Sequence, residues 1–174
     1  MKVLITGGAG FIGSHLADRL LDRGDEVLVI DNYSTGRRDN LRPHPRLQVV
    51  EGTIADRDLV YRLFSDFKPD YVAHAAASYK DPKNWKEDSL TNTVGSAIVT
   101  QASLENGVRR LIYFQTSLCY GVKPLEQPIT LDHPIRPGDS SYAISKTAGE
   151  QKISFRSSSF ITSRDNIVSR SRSL

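Results

Sequence analysis

A chain of 174 residues has room for one domain, or for one domain and a fragment. With 39% hydrophobic and 25% charged residues it has the composition of a globular protein, and no apolar run approaches the ~18 residues of a membrane span. The net charge of +3 resides in residues 151–174, which hold five Lys and Arg against one Asp, so the body offers no basic face for nucleic acid.

Residues 2–6 form a short apolar run that ends at glycines, the pattern of a buried parallel strand. Over residues 11–23, Phe11, Ile12, Leu16, Leu20 and Leu21 recur on one helical face, and Gly24 stops that helix. Residues 26–31 and 47–51 read as the second and third strands. Leu59, Val60, Leu63, Phe64 and Phe67 mark a helix over 57–67 that Pro69 closes, and residues 71–74 make a fourth strand. A long helix is predicted over 87–106, with Gly95 interrupting its composition, and a fifth strand over 110–116. A proline-rich loop follows, then a helix from about Ser141. Strands alternating with helices imply βαβ units, hence an α/β doubly wound parallel sheet of the Rossmann kind over residues 1–150.

Residues 151–174 break this pattern, with eight serines, four arginines and no sustained period. They are expected to be an irregular tail in which the natural continuation was lost by truncation or a shifted frame. One cysteine, Cys119, excludes an intramolecular disulfide and a thiolate zinc cluster, and no metal site is expected. The opening residues lack the apolar stretch of a signal peptide, so a cytoplasmic setting is expected.

Thr6-Gly7-Gly8-Ala9-Gly10-Phe11-Ile12-Gly13 lies between a predicted strand and a predicted helix, where a phosphate-binding loop must lie. Gly7 permits the tight turn, Gly10 lets backbone approach a pyrophosphate, and Gly13 lets the helix pack on the strand. The helix N-terminus at Phe11 and Ile12 offers N–H groups to phosphate. Asp31 ends the second strand about 20 residues on, where a carboxylate accepts hydrogen bonds from a ribose and repels a 2′-phosphate. A dinucleotide is therefore expected, NAD rather than NADP, with Arg37 and Arg38 as solvated loop charges.

Tyr142 and Lys146 lie four residues apart, on one face of the last predicted helix. A lysine cation and a positive nicotinamide ring would lower a phenol's pKa toward working pH and make Tyr142 a base. Thr116, at the carboxyl end of the fifth strand, would hold the reacting hydroxyl.

These pieces resemble the extended short-chain dehydrogenase/reductases, specifically the NAD-dependent epimerase/dehydratase family. The carrying residues are Thr6 to Gly13, Asp31 to Gly36, His74 to Ala77, Asn92 with Gly95, Thr116 to Gly121, and Tyr142 to Lys146. The resemblance implies further cofactor contacts. Asn32, Ser34, Thr35 and Gly36 would wrap the adenosine ribose and phosphate, with Thr53 and Ile54 toward the adenine. Ala75, Ala76 and Ala77 would line the cofactor, and Asn92 would steady the helix behind the site.

The dehydratases of the family carry an Asp-Glu pair where this chain has Ser117 and Leu118, which cannot serve as acid or base. The resemblance therefore favours a nucleotide-sugar epimerase of the 4-epimerase type, acting on a UDP-hexose and capable of forming a homodimer. A non-catalytic NAD-binding module, an inactive truncated fragment and a nucleotide-sugar dehydratase or reductase remain as alternatives. Thr53 departs from the family's usual Asp, and Cys119 from its usual Val. The family's chains also continue into a C-terminal substrate domain, which this chain is expected to lack.

Overall fold

The structure is a computed structural model that describes residues 1–130, 132–138 and 140–154, and the backbone of 161–162. Six strands form one parallel sheet: β1 (Lys2–Thr6), β2 (Glu26–Asp31), β3 (Leu47–Glu51), β4 (Tyr71–His74), β5 (Arg110–Tyr113) and β6 (Ile161–Thr162). Their order is β3-β2-β1-β4-β5-β6, so the chain winds outward in both directions from the β1–β4 pair. The sequence reverses direction across the sheet at that pair, which opens a crevice at its carboxyl edge.

The period-two pattern of the strands separates two cores. Val3, Ile5, Val27 and Val29 face α1 (Phe11–Arg23), where Ala17, Leu20 and Leu21 meet them. Leu4, Leu28, Ile30 and Val72 face the other way. They pack with Val60, Phe64 and Phe67 of α2 (Arg57–Phe67), Val99 of α4 (Ser96–Glu105) and Ile153 of α5 (Ser141–Ser154). Burying both faces is what allows an all-parallel sheet its continuous apolar strands.

The helix expected over 87–106 has three parts. α3 (Trp85–Asp88) leads into a π-helical segment (Ser89–Gly95), which leads into α4. Strand β5 ends at Tyr113, short of the expected Thr116, and a 3₁₀ turn over Ser117–Tyr120 follows. The stretch expected to be irregular from 151 onward carries the last turn of α5 to Ser154, and the two residues of β6 pair parallel with Ile112 and Tyr113. The rest of that expectation, at 155–160 and 163–174, lies outside the described residues. Among the described residues no helix is long and apolar enough to cross a membrane.

Candidate active site

The crevice at the sheet's carboxyl edge is a cleft of about 890 Å³. Its floor is the glycine loop between β1 and α1. Gly7 has φ +69, and a Cβ there would sit 2.6 Å from the Ala76 backbone, so only glycine lets this turn lie against the loop after β4. A Cβ at Gly13 would overlap the Gly7 carbonyl. Helix α1 opens at Gly10 with no side-chain cap and no acid in its first turn. Its N-terminal dipole is therefore left to whatever enters the cleft.

Asp31 is buried at one end of the cleft. Its Oδ2 accepts from Ala9 N and its Oδ1 from Tyr33 N, each at 2.8 Å. The carboxylate thus ties the glycine loop to the loop after β2, and each oxygen keeps a lone-pair site for a further donor. Asn40 Nδ2 and Arg37 N both donate to Ala9 O, which braces the same loop. Arg38 pairs with Glu51 and stacks its guanidinium 4.3 Å from the Tyr33 ring centroid, while Arg37 pairs with Asp39. Both arginines are therefore engaged with loop partners.

At the other end, Tyr142 and Lys146 project from α5 into the cleft. Thr116 caps the 3₁₀ turn through Leu118 N at 3.2 Å, and its side chain lies near enough to the Tyr142 phenol to act on its pKa. The protein's own groups act on this phenol in opposite directions. Burial pushes Tyr142 above its ordinary pKa, Thr116 pulls it back, and the charges of Tyr79 and Asp88 add to the rise. Burial brings the Lys146 ammonium down to about 7, with Glu150 opposing the fall.

A buried polar chain supports the β4 side. Ser96 Oγ donates to Asn92 O at 2.6 Å, which leaves it to accept from His74 Nε2 at 2.9 Å. His74 Nδ1 then accepts from Thr6 Oγ1 at 2.6 Å, and Thr6 Oγ1 accepts from Ala76 N. This assignment of the histidine proton is the one the network permits. It seats Ala75 to Ala77 along the cleft wall.

The structure brings most of the residues singled out in the sequence to this one cleft. Gly7, Gly10, Phe11, Ile12, Gly13, Asp31, Asn32, Ser34, Thr35, Thr53, Ile54 and Ala75 to Ala77 line it, with Tyr142 and Lys146 at the far end. Gly36, Asn92 and Thr116 stand behind its walls. Gly36 packs on Ala9. Asn92 is clamped to both backbone groups of Ser78 and to Ser145 Oγ. The sequence reading did not find Ser78, Tyr79, Lys80, Phe114 and Gln115, which also line the cleft. Position at the carboxyl end of strands β4 and β5 was the available signal for them.

A family model described as the NAD-dependent epimerase/dehydratase family matches residues 3–158. The chain belongs to that family. Among solved structures, the Bordetella bronchiseptica enzyme WbmH in complex with NAD+ is 56% identical, with a TM-score of 0.89 over 92% of this chain and 54% of that one. WbmG from the same organism, in complex with NAD and UDP, is 48% identical with a TM-score of 0.88, covering 92% of this chain and 51% of that one. A UDP-glucose 4-epimerase of Mycolicibacterium smegmatis is 36% identical over 157 residues, 86% of this chain and 49% of the relative. The chain thus spans about half the length of the relatives it matches.

Proposed function

We propose that the chain carries the cofactor-binding and catalytic part of an NAD-dependent nucleotide-sugar epimerase of the 4-epimerase type, acting on a UDP-hexose. The observation that carries this reading is a single cleft with Tyr142 and Lys146 at one end and Asp31 at the other.

The residues fit a dinucleotide. The uncapped α1 N-terminus suits a pyrophosphate, the Asp31 carboxylate suits the adenosine ribose, and the small side chains of Ala75 to Ala77 leave room along the wall. The engagement of Arg38 with Glu51 and Tyr33 supports NAD over a 2′-phosphorylated dinucleotide. Bound there, NAD supplies a reversible hydride acceptor.

The chain's own residues supply the proton chemistry. Tyr142 Oη takes the proton of the reacting sugar hydroxyl, and the Lys146 cation stabilises the phenolate against its desolvation. The Thr116 hydroxyl, near the Tyr142 phenol, orients the same sugar hydroxyl for transfer. Ser117 and Leu118 offer no acid or base beside it, which supports epimerisation over loss of water. Exposed Leu90 and Val94, four residues apart on the π-helical segment, support a homodimer built on that helix.

The test is conversion of UDP-glucose or UDP-galactose to its 4-epimer by the purified chain with NAD, followed chromatographically. Tyr142→Phe is expected to cut conversion by about 10²-fold or more while NAD still binds. Equal conversion by the variant would sink the role of Tyr142. Release of a dehydrated 4-keto product would make the chain a dehydratase. NAD binding with no conversion would favour a cofactor-binding module.

A further inference from the structure

Lys146 stands where a lysine should lose its charge. It is 1% exposed, and the chemistry proposed for Tyr142 needs a cation beside it. The groups around the amine are specific. Nζ lies 3.8 Å from the centroid of the Tyr113 ring, over its face. Tyr113 is fully buried, and its hydroxyl donates to the Lys146 carbonyl at 3.0 Å, so the residue that seats the amine is tied to the lysine's own backbone.

One turn further along α5, Glu150 shares the buried face of the helix. Gln115 Nε2 donates to Glu150 Oε2 at 2.6 Å, and Gln115 Oε1 accepts from Thr116 N at 2.9 Å. The carboxylate is thereby fixed to the segment after β5 that carries Thr116.

We propose that Tyr113 and Glu150 are positioning residues that keep Lys146 a cation at the catalytic end of the cleft, the ring face seating the ammonium and the carboxylate supplying its countercharge. The proposal rests on the reading of Lys146 as the partner of Tyr142. A buried ammonium gains more from a ring face and a nearby anion than an exposed one, because water no longer screens either.

The other groups on this side do not replace them. His74, on β4, is neutral, with both ring nitrogens engaged and its pKa held to about 3 by burial. Asn92 and Ser96, on the helix packed against α5, carry no charge. Asp88 of α3 acts on Tyr142, and Glu87 beside it lines the cleft. Glu150 is the carboxylate that opposes the desolvation of Lys146.

The test is a pH titration of the Lys146 Cε chemical shift in the full chain labelled with ¹³C-lysine, the signal assigned by its loss in Lys146→Met. Glu150→Gln, which keeps the shape and removes the charge, is expected to move the Lys146 midpoint down by about one pH unit. Tyr113→Leu is expected to move it down as well, and Tyr113→Phe, which keeps the ring, to leave it in place. Tyr113 is a core residue, so Glu150→Gln decides the matter if Tyr113→Leu does not fold. An unmoved midpoint in Glu150→Gln, in a chain that melts like the parent, overturns the proposal. The titration needs neither cofactor nor substrate. A failed epimerase assay with a shifted midpoint would overturn the functional reading alone, and a working epimerase with an unmoved midpoint would overturn this inference alone.

Discussion

His74 shows how much a single buried residue carries. It links Thr6 at the end of β1 to Ser96 at the start of α4, and both ring nitrogens are used in doing so. A proton on Nδ1 would replace an accepted hydrogen bond with two facing donors, and burial, with the Lys146 charge adding to it, already holds the pKa to about 3. Between pH 6.5 and 3 the unfolded chain binds a proton that the folded chain refuses. Stability from this residue is therefore complete above pH 6.5 and lost as pH falls toward 3. By this residue alone the chain should be about 2 kcal/mol less stable at pH 5 than at pH 8. Urea unfolding of wild type and His74→Asn at the two pH values checks this, and equal pH dependence in the two proteins would contradict it.

The histidine in the sequence was legible only as part of a family-like run, since nothing local to it foretells Thr6 or Ser96 as partners. Tyr142 is the converse case. Its spacing from Lys146 is plain in the sequence, but the direction of its pKa is not, because burial of the phenol, which no local pattern encodes, raises it.

At the scale of elements, the long helix was placed within two residues of its observed ends, but its π-helical middle was not foreseen. Helical periodicity reports which face is apolar, and a single widened turn barely changes it. The widening coincides with side chains that bond outside the helix. Asn92 reaches Ser78 and Ser145, and Thr93 Oγ1 donates to Ser145 O. Helix α5 comes close enough here that a Cβ on Gly149 would overlap the Asn92 carbonyl oxygen and lie 2.9 Å from the Tyr113 hydroxyl. A Cβ on Gly95 would meet the Ile54 side chain, with Cδ1 and Cγ1 both at 2.7 Å, and would only touch its backbone, at 3.4 Å. Gly149→Ala should therefore cost roughly 1–3 kcal/mol or more, and Gly95→Ala less, because a side chain can turn aside where a backbone carbonyl cannot. Denaturant midpoints of the two variants measure the difference. An equal loss at both sites would show that α5 can shift away.

At the scale of the whole molecule, the cleft lies at the sheet's switch point and joins β2, α1 and α5 with the loops after β1, β4 and β5. A ligand that bridges these elements stabilises the folded state by mass action. At one hundred times its dissociation constant, NAD should add about 2.7 kcal/mol, a rise in melting temperature of roughly 5–10 °C for a chain of this size. NADP should add less, since its 2′-phosphate would meet the Asp31 carboxylate. Thermal melts with each dinucleotide test both statements. Equal shifts would mean that Asp31 does not discriminate.

The sequence by itself determined the strands, the helices that separate them, the glycine loop and the four-residue spacing of Tyr142 and Lys146. Each of these depends on residues within a turn or a strand of one another, where period, backbone freedom and spacing act directly. Only the tertiary structure decided that Thr116 lies near Tyr142, that Asp31 holds Ala9 N, and that Glu150 and Tyr113 surround Lys146. It also decided which groups lose water. Burial and electrostatics belong to segments distant in sequence that the fold brings into contact, so no local pattern encodes them.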